Sequence, residues 1–547
     1  MTDKTTLYGE FSLLAKAHPE YVCCKYFDKC FEYGDMLGKV DTLADYLLSI
    51  CKDKNIGIIM PNCPDMLTAM YAVNKIGKTA VFLNPKSPVA ELKRACGLCE
   101  IKLIIASDIA FAKLETMITD GFDIDVIGSL LLDDMPLFFV PSILKRKKNS
   151  TSRIKKTLTR NGKKLVFIKD ICKKTPSSHV DSRYTDEAVI IFSGGTGGSL
   201  KYIVHSSEGI INSCRDCRKL LTKLKPESAM LAVLPCFHIF GLIVGIILPV
   251  VLEGYPVLYP FFHAKTVGKL MANNCPEYIC AVPTIFEKIK NIGVLDRYEK
   301  SGRLNVKSFE WGFCGGDVVD SEVLSYYNDL FMRNGSSGFI SVGYGMSECC
   351  PISVCEKGVY EPMYVGIIQS MTSVKILDEE NHEVEDGELG EIVISSDYLM
   401  LRTKDENNQE IIPDGCYHTR DIGYKIGNRL YYKTRMRRII KTSGHSIFAE
   451  EIENLLKTHP AVANAYVVPV ASEKRGFVPY AYIILKDRSS VRDEAVLFRE
   501  LGDIVRSNMV AYGIPCGYEI CEEKDIEKTM LGKVVYGKLE NNMWHKD

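Results

Sequence analysis

The densest anion-binding chemistry in the chain lies in Ile191-Phe-Ser-Gly-Gly-Thr-Gly-Gly-Ser-Leu-Lys201. Gly194, Gly195, Gly197 and Gly198 free the backbone to turn its N–H groups toward an anion. Ser193 and Thr196 add hydroxyl donors, and Lys201 ends the run with a positive charge suited to phosphate. This is not a Walker A loop, because Leu200 stands before the lysine where that motif requires Gly. Taken alone, the run fits an ordinary glycine-punctuated loop as well as a phosphate cradle.

Four further segments carry chemistry. Val342-Gly-Tyr-Gly-Met-Ser-Glu348 ends in a carboxylate beside glycines, and Tyr417-His-Thr-Arg-Asp-Ile-Gly423 offers an Asp in a turn. Residues 432–444 are strongly basic, and Glu527-Lys-Thr-Met-Leu-Gly-Lys533 sets a lysine after a glycine turn near the C-terminus. Each has a plain alternative. Glu348 reads equally as a solvated turn residue, Asp421 as a turn former and Lys533 as a surface lysine, because charged side chains are mostly exposed.

The elements that must position these residues follow an α/β pattern. Strand and helix patterns alternate from Asn55 to Ala106, with strands at 55–60, 79–83 and 101–106 and helices at 65–75 and 89–98. The alternation resumes at Ala188 and runs through 230–234 and 278–282, which implies a parallel, helix-covered sheet. Residues 372–432 switch to short strands between Gly, Asn and Asp turns, a small β-barrel or sheet. Beyond residue 434, helix 449–457, strands 465–470 and 478–485, a helix through Leu497, Leu501, Ile504 and Val505, and a strand near 518–521 make a compact α+β unit. The expected division is residues 1–434 and 435–547.

The chain has 547 residues and a net charge of −1, so it is not built as a polyanion binder and no nucleic-acid partner is expected. Twenty cysteines, often within apolar runs, fit a reducing compartment. Cys96/Cys99 and Cys214/Cys217 have CxxC spacing, but they fall in helical patterns without a companion His and read as structural. Met1-Thr2-Asp3-Lys4 lacks the apolar core of a signal peptide, and a cytoplasmic location is expected. The longest apolar run, Ile239 to Leu252, is too short to span a bilayer and reads as a buried core helix.

Together and in this order, the motifs resemble the adenylate-forming superfamily of acyl-CoA synthetases, luciferases and peptide-synthetase adenylation domains, over nearly the whole chain. The loop at 193–201 resembles that family's Ser/Thr-Gly-Gly-Thr-Thr-Gly-x-x-Lys, and Leu234-Pro-Cys-Phe-His-Ile-Phe-Gly241 its Leu-Pro-x-Phe-His-x-x-Gly. Tyr344-Gly-Met-Ser-Glu348 matches Tyr-Gly-x-Ser/Thr-Glu, and His418-Thr-Arg-Asp421 resembles x-Thr-Gly-Asp. Thr434-Arg435, Lys441-x-x-Gly444 and Glu450-Glu-Ile-Glu453 resemble Gly-Arg, Lys-x-x-Gly and Glu-Ile-Glu, and Lys528-Thr-Met-Leu-Gly-Lys533 resembles Pro-Lys-Thr-x-x-Gly-Lys.

The resemblance implies an enzyme that uses ATP to activate a carboxylic acid as an acyl-adenylate, then passes the acyl group to coenzyme A or a phosphopantetheine thiol. It implies a large N-terminal domain and a small, mobile C-terminal lid. The 193–201 loop would hold the β- and γ-phosphates. Glu348, with Thr196, would bind Mg²⁺, since a hard cation prefers oxygen ligands. Tyr344 would stack on adenine, within a nucleotide-contacting set that includes Gly315, Gly316, Asp317, Gly345 and Ser347. Asp421 would accept hydrogen bonds from the ribose, with Arg435 nearby. Lys533 would bridge the carboxylate and the α-phosphate, where charge spreads in the transition state. His238 would line the acyl pocket. Lys441 and Gly444 would attend the cofactor, Gly444 where the pantetheine arm passes.

Five positions depart from the family pattern: Gly197 for Thr, Leu200 for Pro, Arg420 for Gly, Thr434 for Gly and Arg438 for Asp. No Asp accompanies Cys236-Phe-His238 to hold a substrate ammonium, so an amino acid is the less expected substrate. Ala281-Val-Pro-Thr-Ile-Phe-Glu-Lys288 and Leu234 to Gly241 look more like fatty or aryl acyl-CoA ligases, with a fatty acid the first expectation and an aryl acid the second. A ligase loading a carrier protein with an aryl acid, or a non-catalytic nucleotide- or acyl-binding homologue, are the alternatives. Residues 145–164 hold ten Lys and Arg and no acid, beside apolar Met135 to Leu144. That run reads as a solvated face, or as contact with a membrane surface or an acidic carrier protein.

Overall fold

The computed structural model describes residues 5–131, 141–173, 181–194, 200–221, 224–273, 275–317, 319–359, 361–442, 445–472, 475–491, 493–509, 513–528 and 534–544. The chain forms two compact units. The first comprises residues 1–361, 365–373 and 395–417; the second comprises 362–364, 374–394 and 418–547.

In the first unit, a nine-stranded sheet is built around Asn55–Ile59, which pairs in parallel with Thr79–Phe82 on one side and Leu103–Ser107 on the other. These strands are apolar almost throughout because helices cover a parallel sheet on both faces. Helix Pro64–Lys75 begins on a proline, whose missing N–H costs nothing in the first turn. Cys96 on helix Val89–Leu98, and Cys99 at its end, are buried as small core residues; burial pushes the Cys96 thiol up to about 12. The alternation that resumes at Ala188 opens with strand Val189–Gly194, paired in parallel with Thr79–Phe82. It then turns back into Leu200–His205, an antiparallel neighbour that also pairs with Arg402–Asp405.

A second sheet in this unit runs in the order Lys29–Glu32, Val22–Tyr26, Tyr255–Leu258, Ala229–Ala232, Tyr278–Ala281, Trp311–Gly315, Phe339–Met346 and Cys349–Val354. From Val22–Tyr26 to Phe339–Met346 the pairings are parallel. The apolar run at 239–252 is buried, as expected, but the helix is interrupted. An α-turn at Ile239–Leu242 widens to a π-turn at Ile243–Ile247 and tightens again at Leu248–Val251. Such bulges are common beside functional sites.

The basic run forms helix Pro141–Arg160. Ile154 and Leu158 are fully buried in the cluster that holds Leu114, Met117 and Ile118 of helix Phe111–Thr119. Arg153 pairs with Glu115 at 3.0 Å, and Lys163 with Asp123 at 2.5 Å. Lys155, Lys156, Arg160 and Lys164 are exposed. No helix among the described residues is long and apolar enough to cross a membrane.

Strand Tyr417–Ile426, which belongs to the second unit from His418 onward, pairs antiparallel with Arg429–Arg435 and sets Asp421 opposite Arg435. A five-stranded sheet holds His445–Phe448, Ile439–Thr442, Gly476–Leu485 and Val462–Ser472, with Tyr518–Cys521 parallel to Gly476–Leu485. Helices Ala449–Lys457 and Glu494–Asn508 pack on it through Ile452, Leu456, Leu497, Leu501 and Val505. The spacing of those residues is what the sequence pattern anticipates.

Candidate active site

The described strands on either side of the glycine-rich run, Val189–Gly194 and Leu200–His205, are antiparallel partners. Register pairs Ser193 with Lys201 and Gly194 with Leu200, so the backbone enters and leaves the loop at fixed points. Gly195, Thr196, Gly197 and Gly198 lie outside the described residues. Leu200 explains its own departure from the family pattern. Its backbone N–H donates to Glu406 Oε2 at 2.9 Å, and Glu406 pairs with Arg94 at 3.1 Å. A proline has no N–H to give.

Glu348 sits on a hairpin, between Phe339–Met346 and Cys349–Val354. Met346 pairs with Cys349, leaving Ser347 and Glu348 as the turn. Glu348 is only 9% exposed, which removes the solvated-turn reading. Lys201 Nζ donates to Glu348 Oε1 at 2.7 Å, and Tyr417 Oη donates to the same oxygen at 3.2 Å. The main chain is pinned as well. Met400 N–H donates to the Glu348 carbonyl at 2.9 Å, and His205 Nε2 lies 2.8 Å from the Ser347 carbonyl oxygen. A carbonyl only accepts, so this nitrogen carries the hydrogen. Burial pulls the His205 pKa below its ordinary value, against the opposing influence of the Ser347 carbonyl and Glu348.

The nearby parallel strands end in groups that need close approach. Gly315 is paired with Gly343, and a Cβ on Gly315 would lie 2.8 Å from the Gly343 carbonyl oxygen. Gly316 has φ +88°, a conformation that favours glycine. Asp317 follows. Open α/β sheets bind ligands at such carboxyl ends. Tyr344 is half-buried and pairs with Ser353, with Gly345 beside it. His238 is the residue before the interrupted helix, its ring 5.0 Å from that of Phe237.

In the second unit, Arg435 Nε lies 3.1 Å from Asp421 Oδ1. Asp421 is 1% exposed, far from a solvated turn former. The preceding Arg420 has φ +62°, so the backbone adopts there the conformation for which the family pattern supplies Gly. Glu391 supports this bend, accepting from Arg420 N–H at 2.9 Å and lying 2.9 Å from His418 Nδ1. Lys441 pairs with Glu379 on the surface at 2.8 Å. Gly444 and Lys533 lie outside the described residues. The geometry thus joins Ser193, Lys201 and Glu348 in one unit, and Asp421 and Arg435 in the other. Sequence reasoning passed over His205 and Tyr417 as site residues. Their signal was present: His205 falls on the same strand face as Lys201 by period-two alternation, and Tyr417 opens the Asp421 motif.

The AMP-binding enzyme family matches residues 11–402, and the AMP-binding enzyme C-terminal domain matches residues 451–533. The chain belongs to the AMP-binding enzyme family. It is an adenylate-forming enzyme of the acid–thiol ligase type. Similar proteins include a long-chain-fatty-acid–CoA ligase of Bacillus subtilis, 25% identical over 98% of this chain and 94% of the relative. A probable 4-coumarate–CoA ligase of Dictyostelium discoideum is 25% identical over 82% of this chain and 80% of that protein. Among solved structures, the anthranilate CoA ligase AuaEII in complex with anthranoyl-AMP shares the fold of this AMP-binding enzyme. Its TM-score is 0.78 at 17% identity, covering 99% of this chain and 98% of that one.

Proposed function

We propose that the enzyme activates a medium- or long-chain fatty acid with ATP, releases pyrophosphate and forms a thioester with coenzyme A or a carrier-protein phosphopantetheine. The observation that carries the reading is the Lys201–Glu348 pair at the mouth of the glycine loop. It brings a phosphate-binding cation and a metal-binding carboxylate together from separate strand pairs. Mg²⁺ fits this site, because the nearly buried Glu348 offers a hard anionic oxygen. Glu348 and Thr196 would hold the ion, which supplies positive charge to the phosphates. Lys201 and the loop amides would bind the β- and γ-phosphates, while Asp421 and Arg435 would bind the ribose and Tyr344 the adenine. Gly315, Gly316, Asp317, Gly345 and Ser347 would complete the nucleotide contacts, and Lys441 and Gly444 the thiol cofactor's.

In the first step a carboxylate oxygen of the acid attacks the α-phosphorus, and the bond to the bridging oxygen of pyrophosphate breaks. Lys533 would sit between the two anions. In the second step the acceptor thiolate attacks the acyl carbonyl, and AMP leaves. We place the lid boundary at 434/435 and the working site in the cytosol, where free thiols persist.

The fatty-acid preference is supported by the near-complete overlap with the Bacillus subtilis ligase and by the apolar surroundings of His238, including Phe237 and the buried 239–251 segment. The coumarate ligases keep an aryl acid as the second reading. We further propose that the exposed Lys155, Lys156, Arg160 and Lys164 meet an anionic membrane surface or an acidic carrier protein.

ATP–pyrophosphate exchange across fatty, aryl and amino acids tests the whole reading. Exchange should be strongest with fatty acids and should vanish in Lys533→Ala, which should still transfer acyl from supplied acyl-adenylate. No exchange with any acid would mark a non-catalytic binding protein.

A further inference from the structure

Among the described residues, Glu348 Oε1 accepts from two donors of opposite usefulness. Lys201 cancels the carboxylate's charge, whereas the Tyr417 hydroxyl holds the same oxygen without cancelling it. If Lys201 turns its ammonium to phosphate, as the proposed function requires, its three N–H donors are shared between phosphate and Glu348. Tyr417 is the donor to Glu348 that has no phosphate to serve. The rest of the turn leaves little else to adjust, since Met400 and His205 fix the main chain on either side of the Ser347–Glu348 peptide. We propose that Tyr417 is a positioning residue that presents Glu348 to the divalent cation of the ATP complex. This rests on the reading of Glu348 as the metal carboxylate. Tyr417 is suited to the role by its place at the start of a strand, Tyr417–Ile426, which fixes its backbone, and by its half-buried ring, which limits competition from water. A hydrogen bond to an ionised carboxylate is stronger than one between neutral groups.

The test is Tyr417→Phe, which removes one oxygen and keeps the ring. Binding of a fluorescent ATP analogue is titrated with MgCl₂ in wild type, Tyr417→Phe, Glu348→Gln and the double variant, with melting temperatures alongside. Tyr417→Phe should raise the half-saturating Mg²⁺ concentration about tenfold, the loss expected for one hydrogen bond to a charged group. Its nucleotide affinity without Mg²⁺ should stay at the wild-type value, and its melting temperature should fall only by the small amount that one hydrogen bond contributes. In the Glu348→Gln background the same substitution should add nothing, because Tyr417 acts through that carboxylate. An unchanged Mg²⁺ midpoint in Tyr417→Phe overturns the proposal and leaves the tyrosine a packing residue. So does an equal effect in both backgrounds, or a shift in melting temperature that accounts for the weakened binding. Failure of the underlying reading shows separately: wild type and Glu348→Gln would respond identically to Mg²⁺.

Discussion

At the scale of single residues, the departures at Leu200 and Arg420 have a local cause and a local cost respectively. Leu200 uses an N–H that proline lacks. Arg420 carries a cost. An L-residue in the left-handed region loses roughly 1–2 kcal/mol, whereas glycine gives back about 0.5–1 kcal/mol as unfolded-state freedom. Arg420→Gly is therefore expected to stabilise the chain by up to about 1 kcal/mol. Scanning calorimetry should show a small rise in melting temperature. A fall would mean that the guanidinium contributes more than the backbone loses, and would direct attention to its role beside Asp421.

At the scale of elements, Arg438 is the departure with the largest structural consequence. It is 5% exposed and sits between three partners of the second unit. Its guanidinium donates to Glu453 Oε1 at 2.5 Å and to the Val467 carbonyl at 2.6 Å, and lies 3.6 Å from the centre of the Tyr536 ring. Glu453 in turn accepts from Val467 N–H at 2.7 Å. One buried ion pair therefore ties the turn at Met436–Arg438 to helix Ala449–Lys457, to strand Val462–Ser472 and to helix Tyr536–Trp544. Burying two charges is costly, and the pair itself adds little net stability, but removing one member strands the other. Arg438→Ala should destabilise this unit by about 3–5 kcal/mol, measured by denaturant unfolding. Arg438→Ala with Glu453→Gln should recover much of that loss, because no uncompensated charge remains. If the single variant costs less than about 1 kcal/mol, water reaches Glu453 and the site is not buried in solution.

At the scale of the whole molecule, charge is near balance but unevenly spread. Helix Pro141–Arg160 spends Ile154 and Leu158 on the core, so these residues are not free to enter a lipid surface. Contact with an anionic partner would then be electrostatic and salt-sensitive. Replacing Lys155, Lys156, Arg160 and Lys164 with Gln should leave ATP–pyrophosphate exchange unchanged. It should weaken binding to anionic vesicles, or slow acylation of a carrier protein, most clearly at low salt. Equal binding and equal rates at low and moderate salt would leave these lysines and arginines as a solvated face.

The sequence by itself determined the strands and helices with a strong apolar period, because each buries a face whose period is written in the chain. Helix Val89–Leu98, helix Ala449–Lys457 and strand Tyr518–Cys521 fall where the pattern puts them. The chemical character of Lys201, Glu348 and Asp421 was legible as well, since order and residue type suffice for a motif. What remained out of reach was partnership. That Ser193 faces Lys201, that Lys201 and Tyr417 share one oxygen of Glu348, and that Arg438 is buried depend on register and on residues far apart in the chain. Periodicity fixes which face of an element is covered, but not what covers it. Only the tertiary structure turned Glu348 from a solvated turn residue into a buried one, because burial is a property of everything packed around a side chain.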